Sequence, residues 1–250
     1  MVTASYCCEI GKNACDEGVS IPLIRCGGIL IGGIPGSGKS NCVHLLIAQF
    51  LRSVGSQIYL IDPKRVELRW WRRVATRFGV SQTEAIALLD EVIATMDSRY
   101  QELEQLGERD YAKQLNPILV VVEEVAALLK GPEAKGIEVR LRQLLMLGRA
   151  ASILVVIVAQ RPGVDTLVSS IRDLAEIRIA FRSSTSDMSD VILGRGAAAS
   201  GADASKIPAD RRGVGYLSTG SGEPFLFRAY YVSDERLAAL QRGPTEGVSF

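Results

Sequence analysis

Histidine is almost missing from this chain, cysteine stops at residue 42, and positive and negative charges nearly cancel; each shortage removes a class of protein. The single histidine, His44, lies on an apolar helical stretch and reads as a packing residue rather than a ligand or base. The five cysteines (Cys7, Cys8, Cys15, Cys26 and Cys42) match no zinc spacing, and their odd number argues against a complete internal disulfide framework. Reduced thiols are expected. A formal charge of +1 excludes both a basic nucleic-acid-binding tail and an acidic disordered chain, while leaving room for a local basic channel. No apolar run reaches the roughly 20 residues that span a bilayer. Residues 1–11 lack the basic-then-apolar layout of a secretory signal. The expected location is therefore cytoplasmic, with tethering to the membrane through a partner or an absent segment left open. Internal repeats and low-complexity tracts are also missing.

What is present is a chain of 250 residues, 47% hydrophobic and 23% charged, long enough to bury one full core. Short apolar runs at 28–31, 57–61, 118–122, 153–159, 178–181, 215–217 and 225–231 predict strands. Most are rich in Val, Ile and Leu without polar alternation, as strands covered on both faces require. Helical spacing occupies 40–54, 81–106 and 137–151. In the second of these, Ala85, Leu88, Leu89, Val92, Met96, Tyr100 and Leu103 recur at steps of three and four. The alternation implies an α/β fold with a mostly parallel sheet and helices on both faces. The last two strands are expected to form an antiparallel edge hairpin. Residues 194–212 read as a mobile loop, and the tail after residue 241 as flexible.

The run Gly33-Ile34-Pro35-Gly36-Ser37-Gly38-Lys39-Ser40 fits the phosphate-loop pattern G-x-x-x-x-G-K-[ST], placed between a strand and a helix as the motif requires. Its glycines let backbone amides curl around phosphates, and the following helix adds free N–H groups and the positive end of its dipole. Gly33, Pro35, Gly36, Ser37, Gly38, Lys39, Ser40 and Asn41 form the expected ATP contact, with Lys39 on the β- and γ-phosphates and Ser40 on Mg²⁺. Oxidation of Cys42, just beyond, would disturb that contact.

The apolar strand Ile118-Leu119-Val120-Val121-Val122 ends in Glu123-Glu124. Glu123 would hold Mg²⁺ and Glu124 would orient or deprotonate the attacking water. Two exposed acids opening a helix are the plainer alternative. The strand at 153–159 runs into Gln160, whose amide would either sense the γ-phosphate or merely end a strand. Lys64, Arg65, Arg69, Trp70, Trp71, Arg72, Arg73 and Arg77 form the densest basic and aromatic cluster. It reads first as an amphipathic segment with buried tryptophans and wet arginines, and second as a nucleic-acid contact.

Together these pieces resemble the FtsK/SpoIIIE family of DNA-pumping motors. Gly36-Ser37-Gly38-Lys39-Ser40 is similar to the family's T-G-S-G-K-S. Ile61-Asp62-Pro63-Lys64-Arg65-Val66-Glu67-Leu68 resembles I-D-P-K-x-x-E-L, Met96-Asp97-Ser98-Arg99-Tyr100 resembles M-x-x-R-Y, and Ala159-Gln160-Arg161-Pro162-Gly163-Val164-Asp165 resembles T-Q-R-P-S-V-D. Arg178-Ile179-Ala180-Phe181 is similar to R-I-A-F. The order holds from about residue 9 to residue 234. The resemblance implies a RecA-like ATPase domain over residues 21–241, after a lead-in of 1–20 and before a tail of 242–250. It also implies a ring, usually a hexamer, around double-stranded DNA, with ATP hydrolysed at subunit borders. An arginine in trans would then stabilise the γ-phosphate, with Arg99 the first candidate and Arg149 and Arg161 next. At Ser189-Asp190-Val191-Ile192-Leu193 the family reads S-R-T-I-L, so Asp190 replaces an arginine. The family's membrane-anchoring start and winged-helix end have no counterpart in the chain, which implies a motor fragment or a compact relative from a mobile element. Two other functions share this core: a type VII-like protein-secretion motor, and an ATP-binding assembly module with decayed hydrolysis.

Overall fold

The computed structural model describes residues 7–111, 116–160, 169–220 and 222–240. In chain order the elements are β1 (Cys7–Asn13), β2 (Gly18–Pro22), β3 (Gly28–Gly32), α1 (Lys39–Phe50), β4 (Gln57–Ile61), β5 (Arg77–Gly79), α2 (Gln82–Leu106) and β6 (Ile118–Val122). There follow α3 (Val125–Leu128), α4 (Ala134–Leu147), β7 (Ile153–Ala159), α5 (Ser169–Arg172), β8 (Ile177–Phe181), α6 (Ser186–Leu193), β9 (Val214–Ser218), β10 (Phe225–Ala229) and α7 (Asp234–Leu240).

All ten strands join one sheet in the order β2-β1-β10-β9-β8-β3-β7-β6-β4-β5. From β8 to β5 the neighbours are parallel, and from β8 to β2 they are antiparallel. The middle strands β3, β6 and β7 are buried along their whole length, which is why their sequences are unbroken apolar runs. Successive residues face opposite sides. Tyr59, Ile61, Val120 and Val122 enter the core under α2 and α4, whereas Ile58, Leu60, Leu119 and Val121 enter the one under α1 and Trp71. Helix α2 begins with a capping box between Ser81 and Glu84 and ends at Gly107 in the left-handed conformation (φ 64°).

The expected hairpin of the last two strands is present, but it is not at the edge. β10 is hydrogen-bonded to β1, so the β1–β2 hairpin is the outermost pair. The sheet thus extends across the boundary placed at residue 20. β1 escapes a pattern reading because its inward residues, Cys8 and Ile10, alternate with Glu9 and a glycine and make no apolar run. β5, at the other edge, has only three residues. Residues 194–212 are packed rather than loose. Ala202, Ala204 and Ile207 enter the core, and the Asp190 carboxylate accepts the N–H groups of Gly196 (2.9 Å) and Ala198 (2.7 Å). The tail 242–250 lies outside the described residues.

Because β3, β7, β6, β4 and β8 are parallel and in register, the segments leaving them collect at one edge of the sheet. In open α/β sheets that carboxyl edge is where ligands bind.

Candidate functional site

Residues 33–40 leave β3 at this edge. Gly33, Gly36 and Gly38 have φ of 145°, 74° and 121°, values that side chains resist. A Cβ at Gly38 would sit 2.8 Å from the Cα of Gly213, so the loop also needs glycine for close contact. The Gly213 N–H donates to the Ser37 carbonyl (2.9 Å) and the Ile34 N–H to the Arg182 carbonyl (2.9 Å), fixing the loop against the chain that joins β8 and β9. Pro35 and Gly36 form its exposed tip. Helix α1 starts with no side-chain cap and no acid in its first turn, leaving its N–H groups to an anion. Lys39 is buried, its ammonium donating to the Ile34 carbonyl (2.9 Å), and burial lowers its pKa. Ser40, half-buried, follows on the first turn of α1.

Glu123 and Glu124 follow β6 directly. Glu123 is fully buried, and among the described residues its two carboxylate oxygens and the Ser37 hydroxyl are the buried side-chain atoms without a hydrogen-bond partner. Burial, followed by the negative charge of Glu67, pushes the Glu123 carboxyl up to about 8, with Lys39 opposing. A buried carboxylate left in this condition calls for a proton or a cation. Glu124, in a left-handed backbone conformation (φ 53°), pairs its carboxylate with the Lys64 ammonium (3.2 Å). The same ammonium donates to the Gln160 side-chain carbonyl at 2.8 Å. Gln160 does more than end its strand, since it shares a cation with Glu124.

Asn41 is used differently from the expectation. Its amide donates to the Tyr230 carbonyl and accepts the Val232 N–H (2.7 Å), fastening α1 to the segment after β10. Beside the loop, Lys39, Ser40, Asn41, Arg212, Arg228 and Tyr231 line an open cleft of about 410 Å³. Tyr231, expected as a strand residue, stands 82% exposed just beyond β10. His44 is a packing residue, as expected: its Nδ1 accepts the Trp71 indole N–H at 2.9 Å, and burial pushes its pKa down to about 4. Trp71 is core, Trp70 is half-buried, and Arg69 and Arg72 stack on Trp70 and Phe78, both at 4.9 Å.

Arg99 lies elsewhere. It is 6% exposed at the opposite, amino edge of the sheet, where its guanidinium donates to the carbonyls of Ala151 (2.7 Å) and Asn116 (2.5 Å) and stacks on Tyr111 at 4.6 Å. Both of its terminal nitrogens are engaged within its own chain, which gives Arg99 an internal scaffold role in place of the trans-acting one expected. The M-x-x-R-Y pattern here describes an anchor that ties α2 to the starts of β6 and β7. Arg149 is exposed, and Arg161 falls outside the described residues.

The FtsK/SpoIIIE family model matches residues 3–114. The DNA translocase FtsK of Treponema pallidum is 31% identical over 92% of this chain and 30% of its own length. The DNA translocase SpoIIIE of Bacillus subtilis is 29% identical over 91% of this chain and 31% of its own. This chain is similar to the FtsK/SpoIIIE proteins. It spans about 30% of the length of these relatives. Among solved structures, the pCW3 conjugation coupling protein TcpA, with bound ATPγS, superposes with a TM-score of 0.81 at 24% identity, covering 94% of this chain and 68% of that one. The cytoplasmic domain of the type VII secretion ATPase EccC of Thermomonospora curvata gives 0.74 at 19%, covering 95% and 31%. These likenesses establish the RecA-like phosphate-loop ATPase fold.

Three participants had weak signals or none. In the sequence Lys64 belongs to a motif and to the basic cluster, and its contact with Glu124 and Gln160 depends on β4 lying two strands from β7. Arg212 ends a stretch that read as loop and Gly213 follows it, and the packing of β9 against β8 brings them to the phosphate loop.

Proposed function

We propose that this chain is the motor domain of an ATP-driven double-stranded DNA translocase that works as a ring in DNA transfer or segregation, on the cytoplasmic side and tethered through a membrane-anchoring partner. The observation that carries the reading is the buried pair at the carboxyl edge: Lys39 inside a glycine cradle, and the unpartnered Glu123 carboxylate beside it. Backbone N–H groups of the loop and Lys39 would receive the phosphates, and the cleft reaching Tyr231 has room for the nucleoside. Ser40 and Glu123 would hold Mg²⁺. No group of three or more His, Cys, Asp or Glu among the described residues is arranged for a metal, which suits an ion that takes few protein ligands and binds with substrate phosphates. Once bound, Mg²⁺ would neutralise charge on the phosphates. Glu124 would accept the proton of the attacking water as its oxygen bonds to the γ-phosphorus and ADP leaves.

The relatives named as DNA translocases support DNA as the substrate. A translocase of this kind grips the phosphate backbone, so its coupling weakens as salt rises. ATP turnover with and without duplex DNA, at low and moderate salt, tests the proposal. Stimulation by DNA that fades with salt is expected. Stimulation by a secreted polypeptide alone would point to a secretion motor, and tight ATP binding without turnover to an assembly module.

A further inference from the structure

Lys64 makes two contacts at the carboxyl edge of the sheet. Its ammonium lies 3.2 Å from Glu124 Oε2 and 2.8 Å from Gln160 Oε1, so one cation joins the ends of β6 and β7 from a position beyond β4. We propose that Lys64 is a positioning residue for ATP hydrolysis, holding the Glu124 carboxylate and the Gln160 amide as a single unit aimed at the γ-phosphate. This rests on the reading of Glu124 as the base.

Several observations support it. The segment carrying Lys64 is built rather than loose: the fully buried Asp62 carboxylate accepts the N–H groups of Lys64, Arg65 and Leu68, each at 3.0 Å. Its far end is pinned where the Trp71 indole donates to His44 on α1, the helix that begins at the phosphate loop. The Lys64 backbone is thus referenced to the nucleotide loop from both ends. Glu124 needs such help, because a left-handed backbone at the head of a four-residue helix leaves its side chain without the support of a regular element. The Lys64 side chain is 44% exposed against 11% for Glu124. An ion pair that open adds little to stability, so its consequence is geometric. In the step itself the water proton passes to Glu124, the water oxygen bonds to the γ-phosphorus, and the bond to the bridging oxygen breaks. Lys64 neither gives nor takes a proton. It keeps the acceptor within reach.

The test compares wild type with Lys64→Met, which keeps the chain length and loses the ammonium, and with Lys64→Arg. Lys64→Met should lower kcat by about 30-fold, within the range that a placed base supplies, while KM stays within about threefold and Tm within about 2 °C. Lys64→Arg, which keeps charge and donors, should recover much of kcat. In single turnover, adding Lys64→Met to Glu124→Gln should cause no further loss, since the two act through one group. An unchanged kcat in Lys64→Met, or losses that multiply in the double variant, would overturn the inference while leaving the ATPase reading intact. Failure of the wild type to split ATP under any condition would end both.

Discussion

Two ionisable side chains are deeply buried at opposite edges of the same sheet, and they are finished in opposite ways. Arg99, at the amino edge, has both terminal nitrogens on backbone carbonyls and an aromatic ring beneath it. Glu123, at the carboxyl edge, has neither oxygen satisfied. Burial alone does not separate structure from function, because both residues are hidden. Completion does. A buried group whose terminal atoms find partners within its own chain serves the fold, whereas one left open among the described residues is free to take up a proton or a cation.

The sharpest way to break this contrast is Glu123→Gln. The folded chain holds the Glu123 carboxyl at about 8 against an ordinary 4.5, so it keeps a proton that the unfolded chain releases. Stability therefore falls as pH climbs from 4.5 to 8, by up to roughly 5 kcal/mol. The glutamine variant lacks that slope. Denaturant unfolding without nucleotide should find it more stable than wild type at pH 8.5, with the difference nearly gone at pH 5. A difference equal at both values would mean that the carboxyl is not strained.

Arg99→Ala should behave in reverse. It strands two carbonyls and removes two charge-assisted hydrogen bonds, a loss of about 4 kcal/mol, or about 10 °C in Tm. Turnover per folded molecule should stay at the wild-type level, and mixing with Lys39→Ala subunits should reveal no deficit in trans. A stable Arg99→Ala with dead ATPase would return Arg99 to the active-site list.

A smaller effect belongs to His44, which is buried, neutral and partnered. Its pKa, pushed from 6.5 to about 4, means the folded chain refuses a proton that the unfolded chain accepts. Stability should therefore drop as pH falls from 6.5 towards 4, by roughly 3 kcal/mol. His44→Gln, which keeps an acceptor for Trp71, should flatten that acid slope, and thermal melts across the interval would show it. An unaltered slope would assign the acid sensitivity to other groups.

The strand and helix pattern, the phosphate loop and the acidic end of β6 were legible because each is local. Continuous Val, Ile and Leu runs mark strands buried on both faces, and a glycine pattern followed by Lys39 and Ser40 requires no distant partner. Edge strands were not legible, since β2 and β5 owe their existence to the neighbours that pair with them more than to their own residues. Arg99 misled for the same reason: a motif arginine looks alike whether its donors face a phosphate or the carbonyls of Asn116 and Ala151.

What the sequence determined by itself is therefore the chemistry available and the order in which it is strung: a cradle for phosphates, two glutamates and a glutamine at strand ends. Only the tertiary structure decided which charges meet. The crossovers of the sheet bring Lys64 to Glu124 across 60 residues and to Gln160 across 96, leave Glu123 unpaired, and close Arg99 into the scaffold. The physical reason is range. Backbone preference and apolar periodicity act over a few residues, but the state of a buried charge depends on whatever the fold has set within a few ångströms of it.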